Sequence, residues 1–298
     1  MRGWWQDFGD LVLPAECGGC GRPRTVLCPR CRTALGGAVP RRVRPEPAPA
    51  GLPVVHAAAR YADEVRAVLL AHKERGALAL SGPLGEALAG AVRAGLREAG
   101  RLGAGPAGPR GAVLLVPVPS ARRAVRARGH DPGRRIALAA AGELRRCGVP
   151  ARVLPAVRQR RRVADQSGLD SRQRLANLAG ALAVAPGCGR LLRAGPVVIV
   201  DDLMTTGASL AEAARAVRAA LRAPGPEVSG GSSNSVPAPV YTGETWEGRG
   251  EQRPGPGQER TGRHAGRAGT ADACGADEGP LCAAVVAAPP DTFEINGH

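Results

Sequence analysis

The sequence predicts an α/β fold built around a central, mostly parallel sheet, with a small cysteine-clipped unit in front of it. Three observations carry that prediction. Val197-Val198-Ile199-Val200 is a run of four apolar, β-branched residues, which suits a strand covered on both faces, as in a parallel sheet. An Ala-rich segment, 209–221, follows closely with Leu210, Ala214, Val217 and Leu221 on one stripe, and reads as a helix. Two further apolar runs repeat the theme: Val113–Val116, followed by a helix that Asp131 can cap with Pro132 at its first position, and Leu281–Ala288 near the end of the chain.

Between the first strand and its helix lies Asp201-Asp202-Leu203-Met204-Thr205-Thr206-Gly207-Ala208-Ser209. Carboxylates at the end of a parallel strand sit where open α/β sheets bind ligands. The first N–H groups of the next helix lack intrahelical partners and carry the positive end of the macrodipole, so the turn makes an anion site without a cationic side chain. Gly207 lets the backbone approach a phosphate, and the hydroxyls of Thr205 and Thr206 add donors. Ionised carboxylates only accept hydrogen bonds, so Asp201 and Asp202 suit neutral hydroxyls or a divalent cation rather than the phosphate itself. A sugar with vicinal hydroxyls and a phosphate one carbon away fits both halves of this layout.

Composition bounds the rest. At 298 residues and 44% hydrophobic the chain can bury one large core or two modest ones, and with only 2% aromatic residues that core must be built from Val, Leu, Ile and Ala. No apolar run approaches the length of a membrane span, and the first ten residues contain two acids where a signal peptide needs an apolar stretch, which predicts a cytoplasmic protein without membrane insertion. The net charge of +15 is uneven: residues 1–223 hold 36 basic against 16 acidic residues, and 224–298 hold five Arg against ten acids. The folded part should attract phosphates and polynucleotides. Coding bias toward Arg explains the excess equally well, since Lys73 is the only lysine.

Cys17-Gly18-Gly19-Cys20 and Cys28-Pro29-Arg30-Cys31 are two C-x-x-C pairs seven residues apart. Two tight turns of this kind aim four sulfurs at one ion, and Cys17, Cys20, Cys28 and Cys31 are read as ligands of a structural zinc in a zinc-ribbon-like unit over 10–36. Paired disulfides are the alternative, disfavoured where thiols stay reduced. The spacing suggests a clipped hairpin that takes most of its folding free energy from the metal. Cys147, Cys188, Cys274 and Cys282 show no paired spacing, and His56, His72, His130, His264 and His298 are scattered.

Residues 37–56 are rich in Pro, Gly and Arg and read as a linker. Helices are expected over 61–76, where Val65, Val68, Leu69 and His72 share a face, and over 81–100. The strand 113–116 leads through Pro117-Val118-Pro119-Ser120 into a basic loop with Arg122, Arg126, Arg128 and His130. This is a second candidate anion site, with a solvated arginine face as the alternative. Residues 151–185 read as a charged excursion suited to a lid, or as a plain surface loop. Residues 224–280 lack periodicity and are expected to be a disordered insertion between the helix ending near Leu221 and the strand from Leu281. The main domain thus spans 57–223 with 281–295.

The stretch from Asp201 to Ser209 closely resembles the ribose-5-phosphate-binding signature of type I phosphoribosyltransferases. Together with the two cysteine pairs, Pro117-Val118-Pro119, Arg128-Gly129-His130 and the Arg158/Gln166/Arg172/Asn177 stretch, the chain resembles the ComF family. The resemblance implies a type I phosphoribosyltransferase-like fold binding 5-phosphoribosyl 1-pyrophosphate and Mg2+. It implies catalytic roles for Asp201 and Asp202, and ligand contacts from Thr205, Thr206, Gly207, Ala208 and Ser209. Arg122, Arg126 and Arg128 would receive the pyrophosphate, with Gln166 and Arg172 in the lid. It further implies transfer of phosphoribosyl to a nitrogen acceptor in a DNA-uptake setting, with single-stranded DNA and a DNA-uptake helicase as partners. A non-catalytic module binding the sugar phosphate or single-stranded DNA is the alternative.

Overall fold

A computed structural model describes residues 16–102, 111–161, 173, 177–223 and 281–293. In chain order the elements are α1 (Pro29–Gly36), β1 (Arg41–Val43), β2 (Val54–Arg60), α2 (Asp63–Glu74), α3 (Ser81–Glu98), β3 (Val113–Pro117), α4 (Arg122–Arg128), α5 (Pro132–Arg146), β4 (Ala151–Val153), β5 (Val157–Gln159), β6 (Leu182–Val184), α6 (Cys188–Leu192), β7 (Val197–Leu203), α7 (Ala208–Arg222) and β8 (Cys282–Ala288). The main sheet runs β1-β2-β8-β7-β3-β4, with β1 antiparallel to β2 and every other neighbouring pair parallel. β5 and β6 form a separate antiparallel pair. No helix among the described residues is long and apolar enough to cross a membrane.

Strand pleating divides the core into two layers. Val113, Leu115, Val198, Val200, Ala284 and Val286 pack with α2, α3 and α5, whereas Leu114, Val116, Val197, Ile199, Ala283 and Val285 pack with α7. Both faces of the central strands are therefore dry, which is why their sequences are continuous apolar runs rather than alternating ones. On the first face α3 and α5 touch almost backbone to backbone: a Cβ on Gly85 would lie 2.4 Å from Ala139 Cβ. On the second face the buried Glu212 of α7 accepts the Leu182 N–H at 3.0 Å, and Arg215 donates to the Leu182 carbonyl at 2.9 Å, fastening β6 to the helix. Burial alone would raise the Glu212 pKa, but Arg215 and the Leu182 N–H outweigh it and hold the carboxyl below its ordinary value.

The connections leaving the two middle strands diverge. From β3 the chain passes through α4 and α5 to β4, outward on one side, while from β7 it passes through α7 to β8 on the other. Because β3 and β7 are neighbours, their carboxyl ends form a switch point, where the rule for open α/β sheets expects a ligand-binding crevice.

Several elements differ from the sequence expectation. The stretch 37–56 holds β1 and the first residues of β2 rather than a plain connector. β2, Val54-Val55-His56-Ala57-Ala58-Ala59-Arg60, carries no strong strand signal because alanine favours helix. It is a strand because its neighbour β8 is equally rich in alanine and the two pair in register from Val54–Cys282 to Arg60–Ala288. The basic stretch 122–128 is the helix α4, ended by Gly129 at φ 72°, and not a loop. The excursion 151–185 is bounded by β4, β5 and β6; residues 162–172 within it, like the expected insertion 224–280, lie outside the described residues.

The cysteine unit also departs from a clipped hairpin. Cys28 caps α1, with Pro29 at its first position, so the second pair rides on a helix start. The unit does not stand apart either: Cys17, Leu27, Cys28, Cys31 and Leu35 are buried in the same core as Val68, Leu80 and Leu84. The two glycines between Cys17 and Cys20 make this docking possible, since a Cβ on Gly18 would meet Leu80 at 2.6 Å and one on Gly19 would meet Cys31 Sγ at 2.7 Å.

Candidate functional site

Asp201 and Asp202 belong to β7 itself. Register leaves them open on one side. β3 pairs with β7 from Val197 to Val200, whereas β8 continues alongside as far as Leu203. Beyond Val200 the acid pair therefore faces the segment that leaves β3. The pleat starts the two side chains on opposite faces, Asp202 with Val200 and Asp201 with Ile199, but their carboxyls come together at the strand end and Lys73 acts on both.

Asp201 Oδ1 turns back to accept the Asp202 N–H at 2.9 Å. Burial, and then the neighbouring Asp202 carboxylate, push the Asp201 carboxyl well above the usual carboxylate range. The buried Asp202 accepts from Lys73 Nζ at 2.9 Å, and the lysine side chain remains 38% exposed. Burial disfavours the Lys73 ammonium, but the carboxylates of Asp202 and Asp201 outweigh burial and the repulsion from Arg128, so its pKa lies above the ordinary value.

The turn beyond β7 is anchored by the Met204 N–H, which donates to the Ala287 carbonyl at 3.1 Å. Gly207 stands before α7 at φ 74°, and no side chain among the described residues caps the helix. The first N–H groups of α7 thus lack intrahelical partners at its electropositive end. Thr205 is exposed and Thr206 and Ser209 are half-buried, while Ala208 is buried in the first turn. The direction in which a Gly207 Cβ would point is filled: Leu52 Cδ1 lies 3.1 Å away and Pro45 Cγ 3.4 Å. The glycine therefore lets the 45–52 segment pack against the turn, in addition to its positive φ.

The expected second anion site is only partly assembled. Arg128 Nη2 is held by both oxygens of Glu74, at 2.8 and 3.0 Å. Arg126 is exposed. The Arg122 side chain, Gln166 and Arg172 lie outside the described residues. The Asp131 cap is present as expected: its Oδ1 accepts the Arg134 N–H at 3.2 Å and the Ser120 hydroxyl at 3.1 Å, tying the post-β3 segment to α5. His130 Nδ1 lies 3.0 Å from the Arg128 carbonyl, and its buried Nε2 has no partner among the described residues.

Lys73 and Glu74 lie outside the sequence motif that marks the site. The last turn of α2 brings both to it, by a tertiary contact between residues far apart in the chain. The one available signal was composition, a lone lysine in a chain that otherwise uses arginine.

At the other end of the chain the sulfurs of Cys17, Cys20, Cys28 and Cys31 all lie within 4.8 Å of one another. Cys20 and Cys28 are 3.6 Å apart, and all four cysteines are free of disulfides. A tetrahedral zinc with Zn–S bonds of about 2.3 Å needs sulfurs roughly 3.8 Å apart, so the cluster could hold a metal ion such as zinc. Burial opposes the Cys17 thiolate, but the backbone N–H groups of Cys20, Cys28 and Gly19 outweigh it and bring its pKa down to about 6. Cys31 is pushed up by burial and by the three neighbouring sulfurs. The Cys28 N–H also points at Cys17 Sγ, at 3.3 Å.

No protein-family model matches this sequence, and no curated protein matches it.

Proposed function

We propose that the crevice between β7 and β3 binds 5-phosphoribosyl 1-pyrophosphate with Mg2+, and that the chain is a phosphoribosyltransferase-like protein of the ComF type, working in DNA uptake. One observation carries this reading: an acid pair and an uncapped helix start follow one another at the carboxyl end of a central strand, beside the divergence of the sheet's connections. The ribose hydroxyls donate to Asp201 and Asp202. The 5-phosphate takes the N–H groups from Thr205 to Ser209, with hydroxyls from Thr205 and Thr206. The diphosphate lies toward the post-β3 segment, Arg126 and Arg128.

The hard carboxylate oxygens of the acid pair suit a ligand that arrives with a divalent cation, and Mg2+ bound to the diphosphate would offset the charge of the leaving group. The chain's own residues position and stabilise. As the bond from C1 to the diphosphate loosens, positive charge develops on the ribose ring beside the ionised Asp202, while the turn holds the 5-phosphate fixed for attack by a nitrogen nucleophile. The four cysteines hold a structural zinc, since four sulfur ligands leave no position open for chemistry.

Thermal denaturation tests the site. The ligand with Mg2+ should raise the Tm of the native chain, and the double variant Asp201→Ala, Asp202→Ala should lose that rise; an equal rise in the double variant overturns the assignment. A screen of amines and nucleobases for pyrophosphate release then identifies the acceptor. Exposed Arg123, Arg126, Arg134 and Arg135 on α4 and α5 favour a second reading, a module that binds single-stranded DNA without turnover. It requires affinity that falls steeply with salt, and no pyrophosphate release with any acceptor.

A further inference from the structure

We infer that Lys73 is the specificity-determining residue of the site, the group that selects ligands carrying an anion at C1 of the ribose over those carrying only a 5-phosphate. The inference rests on the ribosyl reading above and assigns a role to a residue outside its motif.

Three observations converge on it. First, the acid pair lies between two different neighbours, so a sugar whose hydroxyls reach both carboxyls must present its two ends to different groups. The turn and the start of α7 follow the pair directly in the chain, and Lys73 approaches it from α2, 2.9 Å from Asp202 Oδ2. With the 5-phosphate on the turn, the C1 substituent is directed toward Lys73. Second, Lys73 is engaged yet available: an ammonium has three donors, the described contact uses one, and the side chain is 38% exposed. Third, the local charges are matched in pairs. Arg128, whose charge Lys73 feels, is held by both oxygens of Glu74, and Lys73 is held by Asp202. Once ribose hydroxyls donate to Asp202, its hold on the ammonium weakens and a diphosphate becomes the competing acceptor. A ligand without an anion at C1 gives Lys73 no such acceptor.

Because Lys73 is the only lysine, the native chain can be tested without mutation. Acylation by an amine-selective reagent, followed by mass spectrometry, reads the reactivity of a single ε-amine. 5-Phosphoribosyl 1-pyrophosphate with Mg2+ should slow Lys73 acylation about tenfold, the order of one charge-assisted contact, whereas ribose 5-phosphate at a concentration that raises the Tm equally should slow it less than twofold. Calorimetry on Lys73→Gln, whose amide can still donate to Asp202, should show affinity for the diphosphate ligand reduced about tenfold and affinity for ribose 5-phosphate unchanged, with Lys73→Arg recovering most of the loss. Equal protection by both ligands, or equal losses for both in Lys73→Gln, makes Lys73 merely a support for Asp202 and overturns the inference while the ribosyl reading stands. If the native chain binds neither ligand, the ribosyl reading falls and the inference with it.

Discussion

Asp201 is unfavourably placed for an ionised carboxylate in the folded chain. Its carboxyl is raised in the folded state above an unfolded value of about 3.9, so the folded state holds its proton to higher pH than the unfolded state. Stability is then undiminished below about pH 4 and declines as pH rises from there toward the folded pKa. Asp201→Asn removes that decline. Tm measured from pH 4 to 8 should show the variant gaining on the native chain as pH rises, by roughly 2–4 °C for each kcal/mol; a constant gap across the range contradicts the assigned cause. Gly207 has a different constraint, a positive φ with Leu52 at 3.1 Å from where a Cβ would lie. Gly207→Ala should cost about 1–2 kcal/mol of stability by denaturant unfolding and weaken ligand binding through displacement of the turn. The acid pair and Gly207 were legible because β-branched strand, carboxylates, glycine and amphipathic helix adjoin in sequence. Lys73 was not, because its place depends on how α2 packs in the layer of Val198 and Val200.

Elements were legible in proportion to how local their causes are. The cap of α5 by Asp131 with Pro132 behind it is written within four residues, and the structure carries it. The layers of β3, β7 and β8 follow from apolar runs too continuous for a one-sided sheet. β2 and β1 were illegible because Ala57-Ala58-Ala59 has no strand preference of its own and pairs only once β8 is beside it. The α4 segment reads as a loop in sequence because an arginine-rich stretch without an apolar face has no helical periodicity to detect. The contact between α3 and α5 supplies a clean test away from the site. Gly85→Val adds atoms where the first carbon would already lie 2.4 Å from Ala139 Cβ. It should cost roughly 1–3 kcal/mol through forced separation of the helices, read as a lower denaturation midpoint, with ligand affinity per folded molecule unchanged.

Across the whole molecule, the cysteine cluster and the sheet are joined by one core, which changes what metal loss would do. An isolated ribbon would unfold by itself, but here Cys31 and Leu35 pack with Val68, Leu80 and Leu84. Chelation, or Cys17→Ser with Cys28→Ser, should therefore lower the Tm of the main transition rather than abolish a separate small one, and elemental analysis should find about one zinc per native chain and none in the variant. The same core carries α2, whose last turn delivers Lys73 to the acid pair, so metal loss should also weaken ligand binding. The most direct test of the crevice is a crystal structure of the native chain grown with 5-phosphoribosyl 1-pyrophosphate and Mg2+. The expected density has the 5-phosphate on the amides from Thr205 to Ser209 and the ribose hydroxyls on Asp201 and Asp202. Ligand bound elsewhere, with Lys73 still paired to Asp202 and the crevice closed by protein side chains, would contradict it.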